Sequence, residues 1–291
     1  MLSTHAKGLL ITALGVLVIS PDGLLTRLIQ TDHWTMIFYR ALFVSFGMWL
    51  VVSFTCPNRV WQQYRRVRGP GLIMVGLYSL GTVSFIFAIT HTSVANTLII
   101  LSTTPLFAAL VSWLLLKERI ALRTLIAIAL VGLGVGIIGS ASVGKPGGLA
   151  GDCAAVMGSF CLGSGFVFVR RFPHISVFPA ISCSGLVTAI CILPLAEPLS
   201  VTESDLGYLL IMGIYMVPIG SALMYLGPRY IPAAEVGLLM LLESILGPLW
   251  VWWYLNEEPG RLTLIGGAIV ISTLAINTIW KMKSDRVEST A

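Results

Sequence analysis

Charge is what this chain has least of. Asp, Glu, Lys and Arg make up 11% of its 291 residues, against 56% hydrophobic ones and a mean hydropathy of +0.91. No water-soluble domain of this length has that balance, so soluble enzymes and soluble binding modules are excluded and a polytopic membrane protein is implied. Cysteine is sparse and scattered: Cys56, Cys153, Cys161, Cys183 and Cys191 form no CxxC pair and lie in or at the ends of apolar runs. They read as small packing residues, with no disulfide framework and no zinc site. Catalytic signatures are missing as well. There is no GxSxG, no HExxH and no clustered Asp pair, so nothing supports a membrane hydrolase or phosphotransferase. Gly134, Gly136 and Gly139 satisfy GxGxxG, but inside an apolar span with no strand before it. Gly139 to Lys145 satisfies GxxxxGK, but Pro146 stands where Ser or Thr would hold magnesium. Neither is a nucleotide site. Gly132 and Gly136 read instead as positions where another helix approaches closely. No cofactor, no metal and no nucleic-acid partner is expected; the net charge of +5 reports loop bias.

Long hydrophobic runs are what is present. Hydropathy and turn residues predict ten spans, at about Gly8–Leu28, Trp34–Phe54, Pro70–Thr90, Ser93–Leu116, Leu122–Ala141, Leu149–Val169, Ile175–Leu195, Leu206–Leu226, Ile231–Leu255 and Leu262–Trp280. The run after Gly8 is too long for a signal segment and no AxA-type site follows it, so the first span is expected to stay. Most connections are short; the longest is the arginine-rich stretch from Thr55 to Gly69. With the N terminus inside, 14 basic residues fall on the inner side and three, Arg27, Lys145 and Arg261, on the outer, while Arg40 lies within a span. That bias predicts an integral protein of the cytoplasmic (inner) membrane with both termini cytoplasmic.

The chain repeats itself at a shift of 139. Gly81 falls on Gly220, Val94-Ala95-Asn96 on Ala233-Ala234-Glu235, Lys117-Glu118 on Asn256-Glu257 and Thr124-Leu125-Ile126 on Thr263-Leu264-Ile265. Ten spans therefore divide five plus five, and an odd number per copy turns the second upside down. The expected organisation is a first repeat at 1–141, a linker at 142–148, a second repeat at 149–281 and a cytoplasmic tail at 282–291. The fold class is an all-α polytopic membrane protein, ten transmembrane helices as two inverted five-helix repeats.

Glu243 is the leading site candidate. It lies twelve residues into the ninth span, about 18 Å deep at ~1.5 Å per residue, near the bilayer midplane. A carboxylate there costs about 3 kcal/mol and faces a bundle interior or a water path. The bland reading is a protonated Glu bonded to a neighbouring helix. Pro248 removes the donor to the Ser244 carbonyl, and Pro105 and Pro21 interrupt the fourth and first spans in the same way. Under the repeat, Glu243 and Ser244 overlay Thr104 and Pro105, so Ser102, Thr103 and Thr104 offer hydroxyls at the same depth. Arg40 either meets an anionic substrate group or an acid, or forms a structural salt bridge to Asp22. Asn96, Glu235 and Asp152 read as helix-start groups facing headgroups, His91 as an interfacial residue, and Glu118 and Glu257 as helix-end or loop residues. Trp250, Trp252, Trp253 and Tyr254 read as an interfacial belt, with an aromatic substrate path as the sharper alternative.

FYRALF in the second span, TTPLFAALVSWLLLKE ending the fourth and LLESILGPLWVWWYLNEEP ending the ninth, set in a five-plus-five layout, resemble the EamA family of the drug/metabolite transporter superfamily. The resemblance covers nearly the whole chain. It implies a basket-like bundle with a central cavity, alternating access, and export or exchange of small metabolites such as amino acids. Arg40, Pro105, Glu118, Glu243 and Glu257 stand where the family pattern has its polar and proline positions. The family often has Glu-Pro in the ninth span, whereas Glu243 is followed here by Ser244, so the local kink is expected to differ. The expected function is secondary transport of a small organic metabolite, with export of an amino acid or related compound as the expected direction and cargo. Glu243, Arg40, Thr103, Thr104, Ser244 and Asp22 would form the substrate and proton site. The expected partners are that metabolite, the lipid bilayer, protons as candidate coupling ion and a second copy in a candidate homodimer. The rival classes are a non-transporting scaffold or accessory subunit and, third, a membrane enzyme.

Overall fold

The computed structural model describes residues 4–117, 122–226, 230–231 and 233–290. Glu118, Arg119 and Arg229, which entered the repeat, family and charge arguments, lie outside them. Among the described residues ten helices are long and apolar enough to cross a membrane. In hydrocarbon such a run must satisfy its own N–H and C=O groups, which only a helix does within one segment.

The first span is α1 (Thr4–Ile19) plus α2 (Asp22–Leu28); α3 (His33–Thr55), α5 (Pro70–His91), α8 (Leu122–Ser142), α9 (Gly148–Arg171), α10 (Val177–Ile192) and α15 (Arg261–Thr290) each supply a single-helix span. The fourth is α6 (Val94–Leu101) plus α7 (Thr104–Leu116), and the ninth is α13 (Ala233–Leu241) plus α14 (Glu243–Leu255). The eighth runs from α11 (Glu203–Leu210) through a π-helical stretch at Ile211–Met216 into α12 (Val217–Leu226). Polar caps mark several starts: Asp32 accepts from the Trp34 and Thr35 amides, Ser93 from Asn96 and Thr202 from Asp205. Burial pushes the Asp32 carboxyl up, but donors on Thr35 and Trp34 outweigh it and hold it below the usual carboxylate range. The arginine-rich connection contains a short helix, α4 (Val60–Arg65), and Val67 behind it is buried with Met74, Tyr78, Ile175 and Ala180.

The duplication is visible residue by residue. Shifted by the same 139, α7 (Thr104–Leu116) falls on α14 (Glu243–Leu255), and both helices end in a left-handed residue, Lys117 and Asn256, each at φ 55°. Packing obeys the same two-fold. The second span packs on the seventh, the fifth on the tenth and the fourth on the ninth, each being its own symmetry mate, while third-on-sixth is matched by eighth-on-first. Large apolar side chains such as Leu14, Phe46, Trp49, Leu114 and Leu133 cover the outside. That is the surface a bundle presents to lipid.

The fifth and tenth spans approach through glycine, though not through the residues expected. Gly132 and Gly136 face open space, whereas a methyl on Gly134 would meet the Gly266 carbonyl at 2.9 Å and Val270 at 2.8 Å. Residues 132 and 136 share one helix face by their i, i+4 spacing, and 134 points to the other. Gly134→Leu is therefore expected to lose up to about 3 kcal/mol through overpacking, while Gly136→Leu is tolerated. Thermal unfolding of the two variants in micelles checks the contrast; equal losses would refute this interface.

Candidate functional site

Pro21 ends α1, because its ring cannot continue the helical hydrogen bonding, and α2 restarts at Asp22. Ser20 sits in the gap, with its hydroxyl donating to the Leu17 carbonyl at 3.0 Å and accepting from the Trp250 indole at 3.0 Å. The restart aims Asp22 at Arg40 on α3. Arg40 Nη1 donates to Asp22 Oδ1 and Nη2 to Oδ2, both at 2.8 Å, a fork-to-fork pair buried on all sides. The Phe85 ring lies 5.1 Å from the guanidinium carbon and covers its open face. Of the two sequence readings of Arg40, the pairing with Asp22 is the one this geometry displays.

Glu243 joins this pair from the ninth span. It is the first residue of α14, beside the interruption at Leu242, and its half-buried side chain lies within electrostatic reach of both Asp22 and Arg40. No hydrogen bond to its carboxylate is found among the described residues. The next residue anchors the break: the Ser244 hydroxyl donates to the Leu98 carbonyl at 3.2 Å, and Gly247 packs on the Leu98 side chain. The break expected at Pro248 falls elsewhere, because α14 runs through that proline. One missing N–H is a tolerable loss in a helix packed on α2 and α6; the chain opens at Leu242, where the Leu242 amide turns to Leu239 at 3.0 Å in a tighter i to i−3 bond.

The matching break in the fourth span has no free acid. Pro105, at the start of α7, leaves the Leu101 carbonyl without its helical donor, and the Thr104 hydroxyl at 2.6 Å and the Ser159 hydroxyl at 3.4 Å take it instead. Thr103 donates to Ile100 at 2.7 Å and meets Ser159 at 2.9 Å, with Thr104 3.2 Å from the same Ser159. Thr103 and Thr104 thus turn to α9 and not to the Asp22–Arg40–Glu243 group. Ser159 gave no warning in the sequence beyond being small and polar in an apolar span.

The end opposite the chain termini holds a second buried polar group, and here the expectation of headgroup-facing residues fails. Asn96 and Asp152 are 4% and 5% exposed. Asn96 donates to Thr92, Ser142 and Asp152 at 3.1–3.3 Å and accepts from Thr263 at 2.8 Å, while Thr92 donates to Asp152 at 2.8 Å. Arg27 reaches the Thr92 carbonyl at 2.7 Å and Glu257 at 3.4 Å. Five helices meet there, which is why their polar residues leave the surface. Glu235, the repeat partner of Asn96, is likewise buried and lies 2.7 Å from His5. His91 is half-buried and stacks on Phe87, with ring centroids 3.9 Å apart.

Trp252, Trp253 and Tyr254 are exposed, as a lipid-interface belt is, whereas Trp250 turns inward to Ser20. A hollow of about 580 Å³ lies along this flank, between Leu246, Leu249, Trp250, Trp252, Trp253 and Asn256. Among the described residues no three His, Cys, Asp or Glu side chains gather as metal ligands.

A sequence profile described as "EamA-like transporter family" matches the chain twice, over residues 6–140 and 149–279. The "Uncharacterized transporter YetK" of Bacillus subtilis (strain 168) is 27% identical over 222 residues, covering 71% of this chain and 66% of that protein, just under two thirds of its length. A solved crystal structure, described only as that of a protein, matches 95% of this chain and 98% of its own at a TM-score of 0.68 and 16% identity, a likeness of fold alone.

Removing one member of the buried pair strands the other. Arg40→Ala is expected to cost about 3–5 kcal/mol in micelle unfolding, and the double variant Asp22→Asn with Arg40→Gln to recover much of that loss. A double variant as unstable as the single one would mean that the pair is not what stabilises this junction.

Proposed function

Since the chain belongs to the EamA-like transporter family, we propose that it carries a small organic solute across the cytoplasmic membrane by alternating access, exporting an amino acid or a related compound. The two repeats at 1–141 and 149–281 form the moving halves, and both termini face the cytoplasm, the side to which the basic loops are biased. One observation carries the reading: Glu243 stands at a helix break in the middle of its span, only partly exposed and with no hydrogen bond to its carboxylate among the described residues, beside an ion pair already closed on itself. An intramembrane acid left in that state is held for a transient partner.

Asp22 and Arg40 cancel, so an ionised Glu243 leaves the site with one net negative charge. That favours the ammonium group of an amino acid or a proton, and alternation between the two couples export to the proton gradient. Arg40 meets the solute carboxylate only when its pair with Asp22 opens during the transport cycle, and Ser244 holds the break in shape. Thr103 and Thr104 serve the same end indirectly, by sealing the opposite wall.

Purified protein in liposomes loaded with candidate amino acids tests the reading. Glu243→Gln is expected to abolish proton-coupled flux and flatten its pH dependence, and Arg40→Ala to remove flux; undiminished transport in both variants would eliminate these assignments. In a background without native cysteines, Glu243→Cys is expected to react with a water-soluble thiol reagent and Thr104→Cys to be protected. An unreactive residue 243 would favour a scaffold over a carrier.

A further inference from the structure

The segment between α3 and α5 plays no part in the proposed transport site, yet it is built with care. From Thr55 to Gly69 it holds Arg59, Arg65, Arg66 and Arg68 and no acid. All four arginines are exposed, and among the described residues none pairs with a carboxylate. An ordinary solvated basic loop would be free to swing. This one is fixed at three points: α4 is a helix, the Tyr64 hydroxyl donates to Ser182 on α10 at 2.9 Å, and Val67 is buried against α5 and Ile175. Beside the arginines stand Trp61 and Phe54, which are 70% and 83% exposed. Arg171, at the end of α9, extends the basic surface with its guanidinium 5.6 Å from the Phe172 ring, itself packed on the cluster around Val67.

An anchored segment that presents four exposed arginines, with an exposed Trp and Phe on the same stretch of chain, matches one kind of partner. The aromatic rings settle at the headgroup level, and the arginine forks complement phosphate oxygens that lie in the same plane. We propose that α4 and its flanks form a docking site for the phosphate-bearing headgroup of an anionic phospholipid, with Arg59, Arg65, Arg66 and Arg68 as its ligands and Trp61 and Phe54 as its seat in the acyl boundary. The lipid would pin α4 to the bilayer and, through Tyr64 and Ser182, brace the packing of the seventh span.

Protein in nanodiscs of equal phosphatidylglycerol and phosphatidylcholine, released into native mass spectrometry, provides the test. The anionic lipid is expected to be retained in several-fold preference, each single Arg→Gln to weaken retention about fivefold, and the quadruple Arg→Gln variant to abolish the preference. Arg65→Lys, which keeps the charge, is expected to retain most of it, and micelle unfolding of every variant verifies that the fold is intact. If the quadruple variant fails to fold, the single variants decide. Equal retention of the two lipids, or a preference unmoved by the arginine changes, would overturn the proposal. Complete displacement of the lipid by millimolar inorganic phosphate would also overturn it, in favour of a site for soluble anions.

Discussion

Two unlike charges, Asp22 and Arg40, are held together away from water, and the surrounding helices are arranged so that they stay so. Separating them inside the bundle would expose each to a medium that solvates neither, so the break in the first span and α3 must keep their present relation. Phe85 covers the guanidinium, Trp250 ties the Ser20 gap to the ninth span, and Glu243 enters the field of the pair from that same span. Four spans from both halves thereby meet at one electrostatic centre. The pair need not add net stability to do this, since it is the parting of the two charges inside the bundle that is costly.

Around that centre the architecture follows from two rules acting together. Lipid requires every backbone group to find a partner within the protein, and a duplicated sequence places its exceptions twice. The paired exceptions are the interruptions in the fourth and ninth spans, each resolved locally, whereas the break at Pro21 in the first span has no counterpart in the sixth. Side-chain hydroxyls take the freed carbonyl in the one, and a tightened turn with Ser244 on Leu98 closes the other. The identical left-handed endings at Lys117 and Asn256 show how closely the backbone kept the copy after the side chains diverged.

Most of this frame was legible in the residues. Ten apolar runs, a shift of 139 and prolines beside polar residues are local signals, and local signals survive in a helix that crosses a membrane alone. The failures share a cause. Pro248 suggested a break by its missing donor, yet α14 continues as a helix through it, packed on its neighbours. Gly132 and Gly136 had the right spacing on the wrong face. Asn96 and Asp152 resembled helix-start residues because their partners lie far away in sequence, 167 residues away for Asn96 and Thr263. Ser159, which seals the fourth-span break, carries no pattern at all. What a side chain meets across the bundle is set by the packing of several helices, and no single window of sequence contains it.

The two interruptions share a backbone but differ in chemistry. In one half the freed carbonyl is taken by Thr104 and Ser159, and in the other the corresponding position bears an acid whose carboxylate makes no hydrogen bond among the described residues. The two interruptions occupy equivalent positions in the two repeats, and only one of them carries an acid. Positions that symmetry makes equivalent are therefore not interchangeable. Thr104 is tied into the packing of its half and the acid at 243 is not, so a molecule assembled from two copies of either half alone would repeat one chemistry twice and lack the other.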